Sequence, residues 1–269
     1  MKRIEFIGGS GIGKSTLYRE VVRHKKRQDP WMTAAEARGY LAKTIEVDKA
    51  ALRLAQLYLK TNIPITKRLR GYLTSKILSR YSRDIFDSVH EKYLDVADAF
   101  LGPLYEYGEI NSVRKLSLYA HYYNQSLLQI MLLDYYKLNE VVVFDDGLIH
   151  NTPGFSEEDR FRAILANHAN NGTSVIPTGI VYCIMNEKSY LERRKGKIRQ
   201  GRGTARERTL NDEQLERSCH QFLKSSHGKI SLLRKYGIPG LEIDMDDPIK
   251  ENAQTVYEYI DDLSRGRCS

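Results

Sequence analysis

The chain opens on a short run that turns apolar: residues 2–7, KRIEFI, alternate and then end in glycine, which predicts a strand. The next stretch, GKSTLYREVVRHKK, puts Leu17 and Val21 on one face and finishes in basic residues, as a helix C-terminus prefers. From about 31 to 137 the pattern is mostly helical, with breaks at Asn62-Ile63-Pro64 and Gly102-Pro103. Residues 112–137 repeat apolar side chains at 116, 119, 123, 127 and 130, the spacing of a long helix with one buried stripe. They lead into EVVVFDD, a continuous apolar run closed by carboxylates. That pattern suits a central parallel strand with chemistry at its C-terminal end.

The second half alternates strand and helix. SEED at 156–159 reads as a capping box and NNG at 170–172 as a helix stop. GIVYCIM (179–185) is a buried strand. The segment 186–209 begins as a helix and turns into a basic loop. Residues 211–237 are helical and close on Gly237, GLEIDMD (240–246) is a last strand, and 248–263 a last helix. Strands alternating with helices imply an α/β protein with a parallel sheet covered on both faces. Four strands are visible. A fifth is expected soon after the first helix, but DPWMTAAEARGYLAKT reads as helical.

At 269 residues and 41% hydrophobic content the chain fits a single domain, 1–269, with 25–125 as a helical insertion. No stretch approaches the roughly 20 apolar residues a membrane span needs. The N-terminus runs straight into a strand with no room for a signal peptide. Three cysteines without metal-like spacing read as reduced thiols, so a cytoplasmic location is expected. The formal net charge is +8, concentrated in two acid-free clusters, Lys60–Arg83 and Arg193–Arg206. Such clusters suit an anionic small substrate, an anionic membrane surface or nucleic acid, the last being less expected. Trp31 reads as a core anchor, and Asp134 and Glu140 as solvated.

Chemistry enters at residues 8–15, GGSGIGKS, which match G-x-x-x-x-G-K-[ST] between a predicted strand and helix. Gly8, Gly9, Ser10, Gly11, Ile12 and Gly13 would wrap the backbone round phosphates. The helix start at Lys14, Ser15 and Thr16 adds its positive dipole end. Lys14 is expected to reach the β- and γ-phosphates, and Ser15 to ligate Mg²⁺. Asp145 and Asp146 end the third predicted strand. Asp145 is assigned to the metal side and Asp146 to orienting or deprotonating the attacking group, with the reverse order open. His150 is a candidate second base. Residues 192–210 supply Arg193, Arg194, Arg199, Arg202, Arg206 and Arg208 among glycines, an arginine-rich lid able to neutralise charge in phosphoryl transfer.

GGSGIGKST, VVVFDDG, IVYCIMNEKSYLERRKGK and GLEIDMDDPIKENAQTVYEYI fall in the same order as in the thymidylate-kinase-like and deoxynucleoside-kinase-like P-loop kinases, and the chain resembles that family over 2–20 and about 138–262. The resemblance implies a five-stranded parallel sheet in the order 2-3-1-4-5, Mg·ATP as donor, and an acceptor between the third-strand end and the helical insertion. It also implies Arg194 and Arg199 as lid arginines and an adenine-contacting role for DMDDP. The family carries Glu-Arg-Ser or Asp-Arg after the third strand, whereas this chain has Asp145-Asp146-Gly147. The expected activity is an ATP- and Mg²⁺-dependent kinase acting on a hydroxyl of a sugar, glycan or other metabolite. The alternatives are a nucleoside or nucleotide kinase, a nucleotide-hydrolysing switch and a polynucleotide kinase.

Overall fold

A computed structural model describes residues 1–61, 64, 66–94, 96, 113–151, 157–203 and 207–267. In chain order they form β1 (Lys2–Ile7), α1 (Lys14–His24), β2 (Trp31–Thr33), α2 (Ala34–Thr44), α3 (Ala50–Lys60), α4 (Lys67–Val89) and α5 (Val113–Tyr135). Then come β3 (Val141–Phe144), α6 (Leu148–Asn151), α7 (Glu158–Asn171), β4 (Gly179–Ile184), α8 (Glu187–Arg199), α9 (Asp212–Lys235), β5 (Gly240–Asp244) and α10 (Ile249–Ser264). The sheet is five-stranded in the order β2-β3-β1-β4-β5, and every pairing is parallel. With a phosphate-binding loop between β1 and α1, this is the P-loop nucleoside-triphosphatase arrangement.

The missing strand is β2, inside the segment that reads as helical. It is three residues long, and Thr33 both ends it and caps α2 by a capping box with Glu36. A strand this short shows no period, and the helix pattern behind it takes over the reading. Its Trp31 is 1% exposed and anchors the core, as the sequence suggests. The span 25–125 is therefore not all insertion, because β2 belongs to the sheet. Of the expected stripe on α5, Leu127 and Ile130 are buried; the side chains at 116, 119 and 123 lie outside the described residues. Gly172 stops α7 with φ 62°, as NNG predicts. The N-cap of α7 is Glu157, which makes no side-chain cap, and Ser156 of the expected capping box lies outside the described residues. Helix α8 runs on to Arg199, further into the basic segment than the sequence suggests.

Period-2 alternation divides the strands between two faces. Ile4, Phe6, Val143, Val181 and Cys183 join α1, α9 and α10 in one cluster. On the other face, Ile7, Ile180 and Tyr182 pack with α5, α6 and α7. There too Val142 and Phe144 pack with α2, α3 and α4. Asp134 is not solvated: its side chain is 12% exposed, and it accepts from the Tyr93 hydroxyl at 2.9 Å and the Ser174 N–H at 2.7 Å. Cys183 and Cys219 are buried free thiols. No helix among the described residues is long and apolar enough to cross a membrane.

Candidate active site

The phosphate loop sits where the C-terminal end of β1 meets α1. Gly8 has φ 152° and Gly13 has φ 117°, left-handed conformations that disfavour a side chain. At both the space is also taken: a Cβ on Gly8 would lie 2.6 Å from the Cys183 carbonyl oxygen, and one on Gly13 would lie 2.9 Å from the Met245 methyl. Ile12 is fully buried and pins the loop to the core. Ser15 and Thr16 stand exposed at the helix start.

Lys14 is 7% exposed and folds back over the loop, donating to the Gly8 carbonyl at 3.0 Å. Burial lowers its pKa, while Asp146 and, more weakly, Asp145 oppose that shift. Both acids assigned from sequence therefore act electrostatically on the loop lysine. Asp146 is pushed upward, first by burial and then by Asp145, against the downward pull of Lys14. Its side chain remains 52% exposed, so water blunts that push.

His150 lies between them. Its Nε2 is 3.3 Å from Lys14 Nζ and 3.3 Å from Asp146 Oδ1. Burial, then Lys14 and Lys229, hold its pKa down to about 2, so the ring is neutral. A neutral Nε2 either accepts from Lys14 or donates to Asp146.

Two buried charges with no signature in the sequence pattern hold this turn. Glu5 and Arg3, both fully buried, pair beneath the C-terminal end of β3. The Glu5 carboxylate also accepts from the backbone N–H groups of Leu148 at 2.9 Å and Ile149 at 3.0 Å, the first two residues of α6. A Cβ at position 147 would fall 2.0 Å from that carboxylate, so Gly147 is a packing requirement. At the far end of α6, the 6%-exposed Lys229 of α9 donates to the carbonyls of Ile149 and His150, each at 3.0 Å. Burial lowers its pKa to about 7. A four-residue helix is thus clamped by a carboxylate below its start and an amine below its end. Next door, at the end of β2, Glu36 and Asp145 both raise the pKa of Tyr18, which burial raises most. The β2 terminus therefore brings a third carboxylate to this edge.

From the other side α8 lies on the loop. Arg194 is 5% exposed, donates to the Ser10 carbonyl, and rests over the rings of Tyr190 and Phe222. The Tyr190 hydroxyl donates to the same carbonyl at 2.7 Å. Arg193 donates to the carbonyls of Ile12 and Met245. Arg199, assigned to the lid by resemblance, is exposed at the end of α8, whereas Arg193, Lys197 and Arg202 border the loop. A cavity of about 530 Å³, within the usual range of small-ligand pockets, opens between Gly11, Gly13, Arg193, Arg202, Met245 and Asp246. It includes part of DMDDP, the stretch that resemblance assigns to adenine. Arg206 lies outside the described residues.

No family model and no curated protein matches the chain. Solved structures do. The chain is similar to deoxyadenosine kinase from M. mycoides with dCMP and a flexible dCDP bound, at 14% identity over 96% of this chain and 98% of that one, TM-score 0.43. A dATP-bound structure of that enzyme gives 13% identity over 97% and 99%, TM-score 0.39.

Among the described residues no three His, Cys, Asp or Glu side chains cluster as a protein-built metal cage. Magnesium does not need one, since it takes one or two protein oxygens and completes its shell with phosphates and water. The exposed Ser15 hydroxyl and the partly exposed Asp145 carboxylate are hard oxygen donors that fit that demand.

Proposed function

We propose that the chain is an ATP- and Mg²⁺-dependent kinase that moves the γ-phosphate onto a hydroxyl acceptor. The observation that carries this reading is the convergence of Lys14, Asp146 and the α8 arginines on one phosphate loop. The loop N–H groups and Lys14 would bind the β- and γ-phosphates, and Arg193 and Arg202 would flank them. Ser15 and Asp145 would hold Mg²⁺, which when bound neutralises phosphate charge. Asp146, half open to solvent, would receive the acceptor's hydroxyl and orient it or take its proton.

For the acceptor we infer a nucleoside hydroxyl. The four motifs keep the nucleoside-kinase order. The glycine that departs from the family's pattern at 147 is accounted for by Glu5 packing, so it is no argument about substrate. A sugar or glycan hydroxyl is the second reading, favoured by the absence of an arginine beside Asp145. The test is ATP turnover with and without acceptor in the parent and in Asp146→Asn. The proposal expects acceptor-dependent turnover that the substitution lowers about 10²–10⁴-fold. Acceptor-independent hydrolysis, unchanged in Asp146→Asn, would return the chain to the switch class.

A further inference from the structure

We propose that the exposed face of α3 and the first turns of α4 dock on an anionic lipid bilayer surface. Helix α3 is apolar on both sides. Leu52, Ala55 and Leu59 face the core, while Leu54, Leu57 and Tyr58 stand 60%, 56% and 51% exposed at i, i+3 and i+4. A helix apolar all round is normally covered on every side. The first turns of α4 add Leu69 at 45% and Tyr72 at 59% exposure, and only residues 61–66 separate the two helices. Half of the ten large apolar side chains that stand exposed among the described residues fall between 54 and 72, on two helices that pack against each other.

Charge selects the occupant. From Lys49 through Arg83 there are nine lysines and arginines and no acid. Lys60, Lys67, Arg68 and Arg70 are exposed beside the apolar residues. A second copy seated on the same face would oppose two basic surfaces. Nucleic acid would satisfy the charge but leave Leu54, Leu57 and Leu69 facing phosphates. A bilayer with anionic headgroups satisfies both: leucines enter the acyl boundary, Tyr58 and Tyr72 sit at headgroup depth, and the basic side chains meet phosphates. The surface is separate from the phosphate loop and does not depend on the kinase reading.

The test is co-sedimentation of the full chain with phosphatidylcholine vesicles, with and without about a third phosphatidylglycerol. The parent should pellet with the anionic vesicles and not with neutral ones. Lys67→Gln/Arg68→Gln/Arg70→Gln should weaken partitioning by about fivefold per charge removed, and Leu54→Gln/Leu57→Gln by about tenfold or more. Both variants change exposed side chains, so their thermal midpoints should match the parent and certify the fold. Absence of pelleting with anionic vesicles overturns the proposal, as does pelleting that both variants keep. It is also overturned if both variants abolish a tighter complex with a single-stranded oligonucleotide, or if Leu54→Gln/Leu57→Gln dissolves a dimer in a chain that ignores lipid.

Discussion

Replacing Glu5 with Gln probes the clamp beneath the acid turn. The carboxylate is fully buried, pairs with a fully buried Arg3 and accepts two backbone N–H groups of α6. An amide keeps the size but turns an NH₂ toward groups that are themselves donors, and leaves the Arg3 guanidinium without its counter-charge. Removing one partner of a buried pair costs about 3–5 kcal/mol. That is a large part of the roughly 5–15 kcal/mol of a typical domain. Urea unfolding followed by circular dichroism should therefore show a loss of that size. The double variant Arg3→Met/Glu5→Leu removes both charges and should recover only part of the stability: the apolar pair is often neutral in itself, but Leu148 and Ile149 lose the carboxylate their buried N–H groups donate to, at about 1–3 kcal/mol each. It should not recover turnover. The first N–H groups of α6 then lack their acceptor, Asp146 and His150 shift, and misplacement near 1 Å costs about 10²-fold. ATP binding, measured by titration, should change little, because the loop keeps its own anchors in Ile12, Tyr190 and Arg194. A Glu5→Gln variant within about 1 kcal/mol of the parent, or a double variant with full turnover, refutes the reasoning.

Lys14→Ala should lower turnover by about 10²–10³-fold while leaving the unfolding midpoint near that of the parent, measured by steady-state kinetics and urea unfolding. Arg194→Ala should raise the KM for ATP about tenfold or more by releasing the Ser10 carbonyl and the ring stack, whereas Arg199→Ala, exposed at the end of α8, should leave it within about twofold. Lys229 predicts a pH dependence. Its pKa is lowered to about 7 in the fold, so between about pH 7 and 10.5 the unfolded chain binds the extra proton and stability rises with pH. The penalty for the buried charge is fully present below about pH 7, and Lys229→Met should lose the rise, which amounts to roughly 5 kcal/mol at most. Urea midpoints of parent and variant across that window, compared as a difference, check it.

Most of the sheet and the phosphate loop can be read from the sequence because they obey strong periods and a spacing with one physical use. Strands β1, β3, β4 and β5 are apolar runs next to glycine or acids, and α10 carries a clean stripe in Ala253, Val256 and Ile260. Strand β2 is illegible for want of length. Arg3 and Glu5 escape notice for a different reason: in KRIEFI two charges at i and i+2 have the spacing of the wet face of a half-buried strand. Only a tertiary partner at Leu148 and Ile149, over 140 residues away, reveals that they neutralise each other inside. Lys229 carries the same ambiguity, a lysine in a helix that reads as solvated until its two carbonyl partners are seen. At the α8 end the sequence points to the right segment and to Arg194, but pairs it with Arg199 rather than Arg193. Helical phase puts Arg193 and Arg194 on the loop and turns Arg199 away.

The central claim is that this loop and its acids transfer phosphate rather than release it. The direct measurement is the fate of label from [γ-³²P]ATP in the presence of Mg²⁺ with nucleosides, sugars and glycans as acceptors. The account predicts label on a nucleoside hydroxyl, lost in Lys14→Ala. Label found only in free phosphate, whatever the acceptor, would contradict it.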